Sequence, residues 1–402
     1  MDLRERIEAE ALAAKGAVPL LTDDAVAEAL ARTAALVRDR RDAILAANRE
    51  DADAASGLDE GTLDRLRLDE ARVEALAAQV ASLAELEPIR REVDAWTLPN
   101  GLRVSERRIP IGVVGANFEA RPGVALDVAG QLLKSLNAGV LRTGAAALRT
   151  VTVLVDEVLR PALEAGSLPP GAIGLVRSPA RGGARLLVSL PRLVPLVILR
   201  GSGETTAELA RLAAGSGVRT LAHAEGGGVL YVHADAARDK MLAIVAASLD
   251  RLGVCNRLNL CLVDRRADGL VPDLLELFES RGVEVREELG REWANDPDPS
   301  QVTVHEVGSL AEALRIANEE TSGLAAGIVT EDPVAARAFL DGYRGTAAFW
   351  HATTRFTDGF ALTGAPETGI NVDWTPGPRG PVTYRDLCLR QYRVVGDGTQ
   401  AR

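Results

Sequence analysis

The first 90 residues repeat apolar positions at helical spacing. Ala and Leu recur every three or four residues among Arg and Glu, a pattern typical of helices that bury one face. Thr22-Asp23-Asp24 offers an N-cap followed by acidic residues and predicts a helix start. Turn residues follow between Asp51 and Gly61. The pattern therefore predicts a helical block, with no catalytic constellation in it.

The spacing of apolar positions then shortens to every second residue. Residues 94–98 and 102–106 alternate, and Pro99-Asn100-Gly101 between them predicts a hairpin turn. A Gly- and Pro-rich tail begins near 359 and ends in a strand-like run, Leu387 to Val395. Two short β segments are thus expected at widely separated places in the chain.

Buried strands and helices alternate through the middle of the chain. Continuous Val, Ile and Leu runs separated by amphipathic stretches predict a parallel sheet with helices on both faces. The alternation resumes after residue 229 and continues to about 350, which predicts a second α/β domain. The predicted strands of the first domain are Ile109–Gly115, Ala138–Arg142, Ala172–Val176 and Leu193–Leu199, with helices over 124–136 and 146–164.

Composition narrows the function classes. A formal charge of −11 on 402 residues argues against nucleic-acid or anionic-membrane surfaces. No apolar run approaches ~18 residues, so no membrane span is predicted. Three cysteines and a charged start, Met1 to Glu5, predict a reduced cytoplasmic protein. The four histidines show no ligand spacing, so no metal site is predicted.

Cys255 lies between a helix-like stretch, 237–251, and the apolar run Leu258–Val263. A thiol at such a junction can be exposed, and a thiolate attacks acyl carbons. The alternative is a small core residue, since free cysteines are often buried. Cys261, inside the apolar run, is predicted to be structural.

Other candidate residues follow predicted strands or lie near glycines. Backbone N–H groups before the 124–136 helix, together with Arg121, suit an anion. Arg142-Thr143-Gly144 suits a ribose or its phosphate, although the GxGxxG fingerprint is absent. Glu225, before Gly226-Gly227-Gly228, suits a general base. The alternatives are turn residues, a helix cap and a surface carboxylate.

These motifs together resemble the aldehyde dehydrogenase superfamily, and within it the γ-glutamyl phosphate reductases. The matching segments are Phe118-Glu119-Ala120-Arg121-Pro122, Gly253-Val254-Cys255-Asn256, Thr354-Arg355-Phe356-Thr357-Asp358-Gly359, Glu367-Thr368-Gly369-Ile370 and Arg379-Gly380-Pro381.

The resemblance implies an aldehyde dehydrogenase-like α/β fold in three parts. A Rossmann-type cofactor domain would comprise residues 1–93 and 109–231, and an α/β catalytic domain residues 232–370. The hairpin 94–108 and the tail 371–402 would form a small oligomerisation element of a homodimer or tetramer.

The resemblance also implies NADPH-dependent reduction of an acyl phosphate to a semialdehyde through a thioester on Cys255. The Cys255 backbone N–H and a side-chain amide would hold the oxyanion. The implied site residues are Cys255, Asn117 and Glu225 for catalysis; Lys134, Arg142, Gly144 and Gly226 for NADP; and Arg121, Asn256, Arg355 and Glu367 for the substrate.

Two departures from the reductase pattern leave alternatives open. Ala361 stands where the family has a ribose-binding Glu, and the segment 371–376 has lost a Lys and a His and gained Trp374. The enzyme is therefore expected to prefer an altered acyl phosphate if that segment lines the site. The alternatives are an aldehyde oxidiser, with Glu225 activating water, and a weakened homologue that serves as a partner subunit, for example of an amino-acid kinase.

Overall fold

A computed structural model describes residues 2–58, 60–201, 203–223, 226–252, 254–290, 292, 300–373 and 377–400. The chain forms two compact units. Unit 1 comprises Met1–Ala222, Ala365–Gly369 and Val382–Arg402, and unit 2 comprises His223–Gly364 and Ile370–Pro381. The hairpin and the tail strand belong to unit 1, and the predicted three-part division stays a prediction.

The helical block predicted at the N-terminus is confirmed. Thr22 Oγ1 accepts the Ala25 N–H at 3.4 Å, as expected of an N-cap, and Asp2 and Glu5 form a capping box at the first helix. The five helices each bury apolar side chains on one face. They are α1 (Leu3–Ala17), α2 (Asp23–Asp39), α3 (Arg41–Ala54), α4 (Glu60–Leu66) and α5 (Glu70–Glu85).

The hairpin forms β1 (Glu92–Thr97) and β2 (Arg103–Pro110), and the tail strand β16 (Cys388–Val395) pairs antiparallel with β2. One prediction is wrong here, because Ile109–Gly115 is not one strand. β2 ends at Pro110, which lacks an N–H, and Gly112 turns the chain with a φ of 117°. An oligomeric role for this three-stranded sheet stays a prediction.

The main sheet of unit 1 has the order β5-β4-β3-β6-β7. The pairs β3–β4, β3–β6 and β4–β5 are parallel, which confirms the predicted α/β class. Helices cover both faces and bury the apolar side chains of the strands. The elements are β3 (Val113–Phe118), α6 (Val124–Lys134), β4 (Ala138–Thr143), α7 (Leu148–Val153), α8 (Arg160–Ala165), β5 (Ile173–Leu175), α9 (Gly182–Leu187), β6 (Leu196–Arg200), α10 (Gly203–Ser216) and β7 (Arg219–His223).

Unit 2 is built on a second parallel sheet, with the order β10-β11-β9-β8-β12-β13. Across the described residues, no helix combines the length and apolarity needed to cross a membrane. The elements are β8 (Gly228–Val232), α11 (Arg238–Ser248), β9 (Leu258–Asp264), α12 (Val271–Ser280), β10 (Glu284–Arg286), β11 (Gln301–Val307), α13 (Leu310–Glu319), β12 (Ala325–Val329), α14 (Pro333–Gly342), β13 (Ala347–Trp350) and α15 (Gly359–Thr363). Two short strands, β14 (Gly369–Asn371) and β15 (Gly380–Val382), pair where the chain passes between the units.

Candidate active site

Cys255 lies in a turn between α11 and β9, at the helix–strand junction expected from the sequence. The Arg257 N–H donates to the Val254 carbonyl at 3.2 Å and closes this turn. Cys255 is half-buried and packs against a small apolar cluster that includes Leu324 and Ala325. The candidate nucleophile is thus at the amino-terminal edge of the unit 2 sheet, where β9 and β12 begin.

Asn256, the next residue, fixes the turn. Its Nδ2 donates to the Arg355 carbonyl at 3.1 Å and to the Thr357 carbonyl at 3.0 Å. Its own carbonyl accepts the Thr354 hydroxyl at 2.8 Å. Both N–H bonds of the Asn256 amide are therefore used inside the protein. These bonds hold the turn, and the expected role of Asn256 in binding substrate stays a prediction.

Arg355 bridges the two sides of the same loop. Its Nε donates to Asp250 Oδ1 at 2.6 Å, and its Nη1 donates to Asn256 Oδ1. Within the described residues its Nη2 makes no hydrogen bond, and 19 % of its side chain is exposed. Arg355 therefore keeps its Nη2 amino group for an anion, and its predicted contact with substrate stays a prediction.

The three glycines at 226–228 are needed for close packing. A Cβ at Gly227 would lie 2.3 Å from Asn259 Cβ, and one at Gly228 would lie 2.3 Å from Thr354 Oγ1. A Cβ at Gly226 would lie 3.2 Å from Leu324, a member of the cluster beside Cys255. The contact of Gly226 with cofactor stays a prediction, and Glu225 lies outside the described residues.

The other two thiols are poor nucleophile candidates. Cys261 is fully buried in β9, and burial raises the pKa of its thiol to about 12. Burial also raises the pKa of Cys388 in β16. Both thiols are protonated at neutral pH, and a protonated thiol does not attack an acyl carbon. The structure agrees with the expectation that Cys261 is structural.

Unit 1 presents its candidates at the carboxyl ends of β3 and β4, as the sequence predicted. Arg142 Nη1 donates to Asn117 Oδ1 at 3.1 Å, and Nη2 donates to the Ala180 carbonyl at 3.3 Å. The Gly144 N–H donates to the Phe118 carbonyl at 3.1 Å and joins the two strand ends. Asn117 and Cys255 belong to different units.

Two donors at this edge have no partner among the described residues. Arg142 Nε and Thr143 Oγ1 are buried without a hydrogen bond. Burial lowers the pKa of Arg142, while Glu119 nearby opposes that shift. Buried donors without a partner are rare in proteins and indicate a bound water or ligand. The residues at the β4 end thus fit a nicotinamide cofactor's ribose or phosphate.

Lys134 does not belong to this group. It is the last residue of α6, which runs back from the end of β3 to the start of β4, so it lies at the amino edge of the sheet. Its Nζ donates to the Ala84 carbonyl at 3.1 Å, and the side chain is buried. Lys134 and Arg142 therefore cannot hold one phosphate together, and we leave Lys134 out of the proposed cofactor site.

A carboxyl that the sequence analysis missed lies near Glu367. Asp127, in the first turn of α6, has a buried Oδ1 that makes no hydrogen bond within the part of the chain that the structure describes. Burial raises the pKa of Asp127 to about 7, Arg200 opposes the rise, and Glu367 adds to it. The signal was one acidic residue within the apolar run 124–133. Arg121, at the start of α6, is half-buried.

The end of β6 was also missed. β6 leads through Gly201 to α10, a helix of 14 residues, and a Cβ at Gly201 would lie 3.2 Å from the Glu119 carboxyl carbon. Backbone N–H groups at a helix start suit anions. The signal was Gly201-Ser202-Gly203 between a strand and a helix, of which Ser202 lies outside the described residues.

Comparison with known proteins places the chain among characterised enzymes, although no protein-family model matches it. The γ-glutamyl phosphate reductase of Clavibacter michiganensis is 37% identical over 395 residues, with 93% of this chain and 89% of that protein aligned. The crystal structure of γ-glutamyl phosphate reductase from Thermotoga maritima is 26% identical, with a TM-score of 0.91 over 99% of this chain and 100% of the other. An acetylating aldehyde dehydrogenase from Geobacillus thermoglucosidasius, 16% identical, shares the fold with a TM-score of 0.72 over 100% and 98%.

Proposed function

The chain belongs to the γ-glutamyl phosphate reductase family, and from that premise we propose that it reduces γ-glutamyl phosphate, or a related acyl phosphate, to the semialdehyde with NADPH. The observation that carries this proposal is 37% identity over 93% of the chain. A half-buried cysteine in a turn held by Asn256 and Arg355 supports it. In the relatives, this reaction is a step of proline biosynthesis.

In the proposed reaction the Cys255 thiolate attacks the acyl carbon. The carbonyl oxygen becomes an oxyanion, which the Cys255 backbone N–H would stabilise. The acyl–oxygen bond then breaks, inorganic phosphate leaves, and a thioester forms. NADPH supplies the hydride that reduces the thioester carbon. Collapse of that adduct breaks the carbon–sulfur bond, releases the semialdehyde and restores the thiolate.

The chain's own residues have distinct parts in this scheme. Asn256 and Arg355 hold the Cys255 turn, and the free Nη2 of Arg355 would contact an oxygen of the substrate's phosphate or carboxylate. Arg142 and Thr143 would bind the ribose or its phosphate with their unpartnered donors. We also propose that Gly144 shapes that edge, and the expected catalytic role of Asn117 stays a prediction. No step requires an activated water, since phosphate is the leaving group.

The test is turnover in the reverse direction. Purified protein would receive a panel of semialdehydes with NADP or NAD, with and without phosphate. The proposal expects reduction of NADP that depends on phosphate. Turnover without phosphate would instead indicate an aldehyde oxidiser, and no turnover with any member of the panel would indicate a weakened homologue.

The same panel ranks the substrates. The loss of a Lys and a His from the segment 371–376 predicts that glutamate semialdehyde is poorer than a bulkier or less charged semialdehyde. The expected difference in kcat/KM is about tenfold, which corresponds to ~1.4 kcal/mol of transition-state binding. Trp374 and Pro376 lie outside the described residues. If glutamate semialdehyde ranks first, the altered-substrate prediction is wrong.

A further inference from the structure

Asp250 lies in the connection between α11 and the Cys255 turn and has no role in the scheme above. Its Oδ1 accepts the Arg355 Nε–H at 2.6 Å, a short charge-assisted bond. The side chain of Asp250 is 55 % exposed, whereas that of Arg355 is 19 % exposed. The pair thus joins the surface of unit 2 to the interior of the candidate active site.

The guanidinium of Arg355 reaches both ends of one short loop. Asp250 precedes Cys255 and Asn256 follows it, and Arg355 donates to the side chains of both. Asn256 in turn holds two carbonyls of the 355–357 segment. Two bonds to the same planar group restrict the segments on both sides of Cys255, and we expect this to limit the orientations of its thiol.

We infer that Asp250 is a positioning residue for Cys255, which acts through Arg355 and Asn256. Exposed ion pairs contribute little to stability, with a typical value of about 0–1 kcal/mol. Because 55 % of the Asp250 side chain is exposed, we expect the pair to contribute little to the stability of the fold. Orientation of a nucleophile is different, because a small misplacement can slow a reaction strongly. The inference rests on the proposed function only in taking Cys255 as the nucleophile.

The experiment compares Asp250→Ala and Asp250→Glu with the wild type. Asp250→Ala should lower kcat for the reverse reaction about tenfold and leave KM for semialdehyde and phosphate within about twofold. Asp250→Glu, which keeps the carboxylate, should recover most of that loss. A residue that only stabilises the fold would not give this split between kcat and KM or this rescue.

Alkylation of Cys255 gives a second readout that needs no substrate. Iodoacetamide labelling, followed by mass spectrometry of the Cys255 peptide, should be slower in Asp250→Ala by a similar factor. Because this measurement does not depend on the acyl phosphate, it still tests the inference if the panel of semialdehydes shows no turnover.

Asp273→Asn is the matched control. Asp273 in α12 forms a comparable pair with Arg238, at 2.6 and 2.7 Å, in the same unit but outside the loop. Its kcat and its Cys255 alkylation rate should match those of the wild type. The inference is overturned if Asp250→Ala keeps both rates within twofold of the wild type, or if Asp250→Glu is as slow as Asp250→Ala.

Discussion

The two parallel sheets of this protein present their candidate chemistry at opposite edges. In unit 1 the candidates Asn117, Arg142 and Gly144 lie at the carboxyl ends of β3 and β4. In unit 2, Cys255 lies before β9 and Gly226 before β8, at the amino ends. The usual rule for open α/β sheets places ligands at carboxyl ends, and only unit 1 follows it.

At the carboxyl edge of unit 2, polar side chains at the strand ends form hydrogen bonds with one another. Tyr231, in β8, donates its hydroxyl to Asp264 Oδ2 at the end of β9, at 2.8 Å. Arg266 also donates to Asp264, and that side-chain hydrogen bond is the main reason that the pKa of Asp264 is well below its usual range. His233 Nδ1 and Thr330 Oγ1 are 2.8 Å apart beside them. Two similar parallel sheets can therefore carry their candidate site residues at either edge, and the loops at the strand ends decide which edge it is.

The largest effect is expected when the Cys255 thiol is removed. Cys255→Ala should abolish turnover, with a loss of at least ~10³-fold, because the thioester cannot form. Cofactor affinity, which we propose depends on unit 1, should be unchanged by isothermal titration. Cys261→Ala should keep activity and lose about 1 kcal/mol of stability as a small cavity opens. More than a few per cent of activity in Cys255→Ala, with loss in Cys261→Ala, would contradict the assignment.

A second prediction concerns the carboxyl edge of the unit 2 sheet. Asp264→Ala should lower the free energy of unfolding by about 2–3 kcal/mol, because the buried Tyr231 hydroxyl loses its partner. Alkylation of Cys255 in the folded variant should keep its wild-type rate. Urea unfolding and iodoacetamide labelling measure the two effects. A large change in the alkylation rate would mean that this edge also serves the reaction.

The third prediction concerns unit 1. NADP should bind more tightly than NAD by ~1.5–3 kcal/mol, and Arg142→Gln should remove most of that difference. Lys134→Met, at the opposite edge, should leave the preference unchanged and reduce stability instead. Isothermal titration of both cofactors with each variant is the measurement. Equal affinities in the wild type, or loss of the preference in Lys134→Met, would refute the assignment.

The last prediction is a pH dependence of the stability of unit 1. Folded Asp127 holds its proton up to about pH 7, whereas the unfolded chain releases it near 3.8. The free energy of unfolding should therefore decrease as pH rises between these values, by up to about 1.4 kcal/mol per unit. Asp127→Asn should remove this component. Urea unfolding at pH 5, 6 and 7 measures it, and parallel profiles for both proteins would contradict the raised pKa.

Local sequence determined the elements of both units. These elements could be predicted because their signals lie within a few residues of one another. Examples are the helical periodicity, the Thr22 cap and the Pro99-Asn100-Gly101 turn. The Cys255 junction and the Arg142–Gly144 strand end were placed for the same reason. The strand predicted over 109–115 failed because Pro110 and Gly112 ended one strand and turned the chain into another, and the apolar pattern across them did not show the break.

Tertiary structure decided which edge each side chain occupies and what it contacts. Lys134 and Arg142 are close in sequence, yet α6 runs antiparallel to its strands and places them at opposite edges. Asn256 and Arg355 are 99 residues apart, and the bond between their side chains forms only in the packed fold. Hydrogen bonds between distant segments depend on the packed fold, and no local pattern records them.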